Sequence, residues 1–326
     1  MTGLARPRLD SGDADVLANI AEDYYVNGQN QDVIASRYNI SRSYVSRLLG
    51  RARELGIVVI SVRREIRRDT LLESLLRERY GLLHCAVVAD VAIDPEVVLR
   101  RAGQLAATIL AESLRPDSTL GLAWGNGVRA VIEAMPPGRA RATRVVQMFG
   151  GLSTAPAEIM SGELLVHAAR ALDATADRLH APWIVETPEL ARALLDQPDI
   201  AAVLQRAATA DLALVGIGAT GRGSSGALFN RTYLNPAELA EIDQQGAVGD
   251  ICGRLFDIEG RPCGLSAMER VIGLELDAIR RLPLVIGIAT GREKHRAIRA
   301  ALQGGLVSAL VTDSEAAREV LDDGHA

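Results

Sequence analysis

From residue 85 onward, short apolar runs alternate with longer amphipathic stretches, and no other feature of the chain restricts its fold so tightly. The runs cover 85–89, 119–124, 145–149, 212–217, 248–256, 284–289 and 307–311. Helical periodicity marks 95–115, 127–135, 158–172, 189–207, 236–244, 292–303 and 314–322. Strands that are apolar at nearly every position are buried on both faces, as in a parallel sheet covered by helices. Alternation repeated this often predicts a doubly wound, mostly parallel α/β domain. Ligands of such sheets sit at the carboxyl ends of strands, where loops meet helix N-termini.

The first 63 residues carry a different pattern. Ala14 to Val26 sets Val16, Leu17, Ile20, Ala21 and Tyr24 on one helical stripe. Asn30 stands as N-cap before Gln31 to Tyr38, and Asn39-Ile40 makes a tight turn. Ser41 then caps a third helix reaching about Leu55, with Val45, Leu48, Leu49 and Ala52 facing inward. The opposite face holds Arg42, Ser43, Tyr44, Ser46, Arg47 and Arg51. Ile57 to Val62 alternates as a strand and ends in Arg63-Arg64, the pattern of a wing. The reading is a small all-α winged helix-turn-helix domain (1–63), a linker helix (64–80) and a larger α/β domain (81–326). The linker is striped by Leu71, Leu72, Leu75 and Leu76.

Charge follows the same division. Residues 37–68 carry nine arginines against Glu54 and Glu65, whereas residues 69–326 carry 25 basic against 33 acidic side chains. A basic patch on an otherwise acidic chain is the footprint of local phosphate contact. In a helix-turn-helix the first turn of the third helix enters the major groove, which places Arg42, Ser43 and Tyr44 there, with Arg47 and Arg51 on the same face. Arginine reads guanine as a bidentate donor, whereas Gln31 and Ser41 suit phosphates. Double-stranded operator DNA is the expected partner, read by a dimer or higher homo-oligomer. With only 3 % aromatic residues, stacking on single strands is disfavoured. No apolar stretch approaches the ~18 residues of a membrane span, and Met1 to Asp15 has no apolar signal core. Cys85, Cys252 and Cys263 are odd in number and lack CxxC spacing, which fits a cytoplasmic chain with neither disulfide nor metal site.

The N-terminal stretch Tyr24-Tyr25, Gly28, Asn30-Gln31, Ile34-Ala35, Ile40-Ser41-Arg42, Val45-Ser46-Arg47-Leu48-Leu49, Ala52-Arg53 and Gly56-Ile57-Val58 resembles that of SorC-type sugar-binding transcriptional regulators. The resemblance continues through Trp124-Gly125, Gly150-Gly151, Ala181-Pro182, Leu214 to Gly218, Gly246 to Asp250, and Gly291, Lys294 and Ala297-Ile298. It implies a large domain similar to sugar-phosphate isomerases of the glucosamine-phosphate deaminase type, without catalytic activity. That domain would bind a sugar, polyol or sugar phosphate as effector and assemble as a dimer or tetramer. The family commonly has threonine or serine after Trp-Gly, where this chain has Asn126, Gly127 and Val128 and so lacks a hydroxyl donor.

Three strand ends stand out as effector-binding candidates. Gly125-Asn126-Gly127 precedes a helix, and its amides suit an oxyanion; Gly150-Gly151 follows an apolar run; Thr290-Gly291-Arg292 leads into a helix whose first turn holds Lys294. Lys294 is the only lysine among 36 basic residues, which suggests that a compact ammonium is required there. The resemblance assigns Lys294 to a phosphate and Asp250 to sugar hydroxyls. Gly216 to Gly221 fits GxGxxG, but Arg222 to Gly226 reads as a loop where a dinucleotide fingerprint needs a helix. Gly218 is therefore taken as part of a loop near the effector. Arg270 can pair with an anion or form a structural salt bridge. His167 and His180 read as structural. No catalytic residue and no cofactor is expected. The alternative, an isomerase or deaminase carrying a DNA-binding appendage, would press Asp250, Lys294 and His295 into acid–base roles.

Overall fold

The computed structural model describes residues 14–58, 66–89, 94–135, 144–152, 161–220 and 233–322. The chain divides into two compact units, 1–65 and 66–326.

In the first unit, α1 (Ala14–Tyr25), α2 (Gln31–Tyr38) and α3 (Arg42–Glu54) follow the expected boundaries. Asn30 accepts the Asp32 and Val33 amides, and Ser41 accepts that of Tyr44, so each side chain satisfies amides orphaned at a helix start. Asn39 turns between α2 and α3 at φ 54°, a left-handed conformation that asparagine tolerates. Leu17, Ile20, Ile34, Val45, Leu48, Leu49 and Ala52 form the core. Asp23 is buried and receives Arg37 at 2.9 Å and the Tyr38 hydroxyl at 3.3 Å, which latches α1 to α2. Burial and the Asp23 charge raise the Tyr38 phenol above its ordinary value. Ile57 and Val58 pack on this core. The rest of the expected wing, including Arg63-Arg64, lies outside the described residues.

The second unit starts with α4 (Thr70–Tyr80). This helix, read from sequence as a linker, packs into the unit: Leu72 and Leu76 are buried in its core, while Leu71 and Leu75 remain exposed. Arg68 bridges to Val88, and Glu73 receives Arg68 twice at 2.8 Å and the Val87 amide at 2.9 Å.

Seven strands form one parallel sheet: β1 (His84–Val88), β2 (Thr119–Leu122), β3 (Arg144–Gln147), β4 (Thr175–Asp177), β5 (Leu212–Gly216), β9 (Leu284–Ile288) and β10 (Ala309–Asp313). Their order is β1-β10-β9-β5-β2-β3-β4. The helices are α5 (Pro95–Ser113), α6 (Asn126–Glu133), α7 (Ser161–Ala171), α8 (Pro188–Leu195), α9 (Pro198–Ala208), α10 (Pro236–Gln244), α11 (Leu276–Arg280), α12 (His295–Gln303) and α13 (Ser314–Leu321). From β1 to β4 the chain steps one way along the sheet; from β5 to β10 it steps back. Right-handed crossovers therefore put α5, α6 and α7 on one face and α9 and α12 on the other. The reversal falls between β2 and β5, which makes their carboxyl ends the switch point.

Two expectations are corrected, and one strand is added. The periodic stretch 189–207 is two helices, because Pro198 has no amide to continue the first and starts the second. The 248–256 run is a hairpin rather than one strand. Strands β7 (Gly249–Ile251) and β8 (Arg254–Phe256) join through Cys252 and Gly253 at φ 53° and 73°, and β6 (Gly218–Ala219) pairs with β7. Strand β4 was not anticipated; its Thr175-Ala176-Asp177 carries no apolar run because it is the sheet's edge.

Candidate functional site

At the carboxyl ends of β5, β9 and β10 the second unit collects its unusual charges. Asp250, in β7, is 7 % exposed and sits opposite Gly218 of β6. A Cβ on Gly218 would run into the Asp250 carboxylate, so a side chain there would displace it. The other carboxylate oxygen accepts the Gly253 amide at 3.2 Å, so Asp250 also closes the β7–β8 turn. Burial pushes the Asp250 carboxyl up to about 6, against the Gly253 amide and the Lys294 charge, which favour ionisation.

Lys294 ends a short 3-10 turn (Arg292–Lys294) between β9 and α12. Burial lowers its ammonium below the ordinary value, against the Glu293, Asp250 and Asp313 charges. Its side chain makes no hydrogen bond or ion pair with the described residues, although the residue is half-buried. A half-buried cation near a buried carboxylate, with its own donors unspent, is equipped to hold a ligand that is both polar and anionic.

The loop carrying Lys294 is fixed from β10. The Gly291 amide donates to the Asp313 Oδ2 atom at 2.6 Å, while Oδ1 of the same carboxylate caps α13 through the Glu315 and Ala316 amides. Gly291 has φ 102°, a conformation glycine permits. Arg292 pairs with Glu319 of α13 at 2.7 Å, and His295 is engaged with the Arg292 carbonyl at 2.8 Å. Asp313 was not singled out from the sequence, although an aspartate between an apolar run and a helix is a readable N-cap signal.

The end of β2 adjoins this loop. Gly127 in the first turn of α6 lies against Ile288 at the end of β9, where a Cβ would come within 2.9 Å of the isoleucine side chain. Gly125 precedes α6 without a capping side chain, and Asn126 is exposed. Trp124 is clamped behind them, donating from Nε1 to the Gly150 carbonyl at 3.0 Å and stacking on Phe149 at 4.7 Å.

The structure thus brings Gly125, Asn126, Gly127, Gly218, Asp250 and Lys294 to neighbouring strand ends. Gly150, Gly151 and Arg270 serve otherwise. The Gly150 and Gly151 amides are spent on the Ile272 and Ala181 carbonyls, both at 2.9 Å. A Cβ on Gly150 would meet the Pro182 carbonyl at 2.2 Å, so this glycine permits a backbone crossing. Arg270 binds Glu238 at 2.6 Å and the Val185 carbonyl at 2.7 Å in a largely buried structural pair. It lines a separate cleft of about 380 Å3 with Glu186, Pro188, Tyr233, Asn235, Glu238 and Ser266. Of the GxGxxG stretch, Gly218 opens β6 rather than a helix, which removes the dinucleotide geometry. Gly221 lies outside the described residues.

The three cysteines are buried and unpaired, and burial raises each thiol, Cys85 to about 12 and Cys263 to about 11. Among the described residues no group of three metal-ligating side chains occurs. No helix among them is long and apolar enough to cross a membrane.

In the first unit Arg42, Ser43, Tyr44, Arg47 and Arg51 lie on α3, Ser41 is its N-cap, and Gln31 opens α2. Ser41, Arg42, Ser43, Arg47 and Arg51 are exposed, while Tyr44 and Gln31 are half-buried. Arg47 lies over the Tyr44 ring at 5.1 Å. Arg42 is 3.8 Å from Asp32, Arg51 is 3.1 Å from Glu54, and the Ser41 and Ser43 hydroxyls are 3.0 Å apart.

A helix-turn-helix unit with an arginine-lined third helix, in one chain with an α/β unit that has a charged strand-end site, defines a ligand-responsive DNA-binding regulator. Residues 64–322 match the family described as "Putative sugar-binding domain". The chain belongs to this family, the SorC-type sugar-binding transcriptional regulators. It is 31 % identical over 300 residues to the deoxyribonucleoside regulator of Bacillus subtilis, covering 92 % of this chain and 95 % of that one. It is 30 % identical over 314 residues to the sorbitol operon regulator of Klebsiella pneumoniae, covering 96 % and 99 %. The crystal structure of the full-length K. pneumoniae regulator SorC superposes with a TM-score of 0.74 at 28 % identity, over 96 % of this chain and 100 % of that one.

Proposed function

We propose that this regulator controls a carbohydrate or polyol catabolic operon, with residues 1–65 contacting operator DNA and residues 66–326 sensing the effector. The effector is a sugar, polyol or sugar phosphate: Asp250 accepts its hydroxyls, and Lys294 with the first-turn amides of α6 takes its anionic end. The observation that carries this reading is the Lys294 side chain, half-buried yet unpaired among the described residues at the sheet's switch-point side. Gln31, Ser41, Arg42, Ser43, Tyr44, Arg47 and Arg51 form the DNA-contacting set. The protein works in the cytoplasm as a dimer or tetramer, since a helix-turn-helix reads pseudo-palindromic half-sites in pairs. The effector acts by binding the DNA-competent and DNA-incompetent assemblies with different affinity.

The large unit binds without turning over. One Asp250 oxygen accepts the Gly253 amide and His295 is engaged with a backbone carbonyl, which argues against a positioned general base among the described residues. Thermal unfolding of the wild type and Lys294→Ala against sugars, polyols and their phosphates tests the reading. Stabilisation of the wild type by one phosphorylated compound, lost in the variant, is the expected result. Equal stabilisation of both by an unphosphorylated polyol refutes the assignment of Lys294, and turnover of any sugar phosphate refutes the non-enzymatic reading.

A further inference from the structure

Gly50 sits in the interior of α3, where glycine costs helix stability relative to alanine. Nothing among the described residues calls for it. A Cβ placed on Gly50 meets open space, and its backbone is ordinary right-handed helix. At about 100° per residue, the buried stripe Val45, Leu48, Leu49 and Ala52 sets the inward direction. Ser43, Arg47 and Gly50 then fall within about 30° of the direction straight away from the core. Arg42, by contrast, lies on the flank facing α2, where Asp32 reaches it.

The arginines on this surface are unequal. Arg37, Arg42 and Arg51 each have a carboxylate within 4 Å, on Asp23, Asp32 and Glu54. Arg47 has none among the described residues; its guanidinium is held over the Tyr44 ring instead. A ring orients a guanidinium without consuming its hydrogen-bond donors, so all five remain for a partner.

We propose that Arg47 is the base-reading residue of this helix and that Gly50, one turn on, is bare so that α3 can seat deeply enough for Arg47 to reach a guanine edge. Tyr44 positions Arg47. Arg42, shared with Asp32, contributes phosphate contact and no sequence information. This rests on the reading of α3 as the DNA-contacting helix.

The test uses the full-length chain and a library of random-sequence duplexes, from which wild type selects its preferred site. Gly50→Ala is expected to slow amide exchange in α3 roughly two- to fivefold, because alanine favours the helix, while binding to the selected duplex weakens by about tenfold or more. Arg47→Ala is expected to lose discrimination at one base pair per half-site by roughly 5- to 150-fold, and Arg47→Lys is expected not to restore it. Arg42→Ala keeps the selected sequence and lowers the salt dependence of binding by about one unit of slope. The proposal is overturned if Gly50→Ala binds as wild type does, if its α3 amides exchange faster, or if Arg47→Ala selects the wild-type sequence. A wild-type chain that enriches no duplex would overturn the DNA-contacting role of α3 itself, and this proposal with it.

Discussion

Asp250 is an expensive residue in the absence of ligand, and the expense can be measured. Its carboxyl is raised from 3.8 to about 6 by burial. At about 1.4 kcal/mol for each tenfold change in proton affinity, holding the ionised form in this environment costs roughly 3 kcal/mol of folding stability. A folded-state value above the unfolded one means that Asp250 favours the folded protein most below pH 3.8, and that this contribution is lost as pH rises through about 6. Asp250→Asn keeps a side-chain oxygen for the Gly253 amide and removes the charge. In urea titrations of the ligand-free chain, the substitution is therefore expected to stabilise by about 2–3 kcal/mol at pH 8 and to be nearly neutral at pH 4. Groups that titrate elsewhere contribute equally to both proteins and cancel in the comparison. The same variant should lose effector-induced stabilisation, since the amide cannot accept as many hydroxyl donors as a carboxylate. A variant destabilised by the same amount at both pH values would refute the reasoning, because burial of the Asp250 charge would then carry no pH-dependent cost.

Other substitutions test the supports of the two sites. Gly218→Ala brings a methyl group into the Asp250 carboxylate, and thermal melts should show a loss of about 1–3 kcal/mol, partly recovered in combination with Asp250→Ala. Ser41→Ala removes the acceptor of the Tyr44 amide; a loss of ~1 kcal/mol is expected in hydrogen-exchange protection of α3, with weaker operator binding. Glu73→Ala strands the buried Val87 amide and releases Arg68, and should cost about 2 kcal/mol in the second unit, read as a lower melting temperature with no change in the protection of α1–α3.

The helix-turn-helix was legible residue by residue because its information is local. Asn30 and Ser41 cap within three residues, Asn39 turns where asparagine can, and one stripe on each helix faces inward. The parallel sheet was legible from its apolar runs, which are continuous wherever both faces are covered. Lys294 was conspicuous as the single lysine, and Asp250 came from the family resemblance rather than from any local pattern.

What the sequence determined by itself was thus the kind of element at each place and the strand ends where chemistry collects. Which polar groups remain available there was decided only by tertiary structure. Gly150 and Gly125 look alike as glycines after apolar runs. In the fold the Gly150 amide is consumed by Ile272, while Gly125 opens a helix that no side chain caps. Arg270 and Lys294 look alike as cations beside glycine-containing loops. Glu238 neutralises the first, and no described residue pairs with the second. The hydrogen bonds in these cases are spent on partners 32 and 122 residues away, and local sequence carries no record of that partner. Burial then sets the charge state of what remains, because desolvation depends on everything packed around a group and not on its neighbours in the chain.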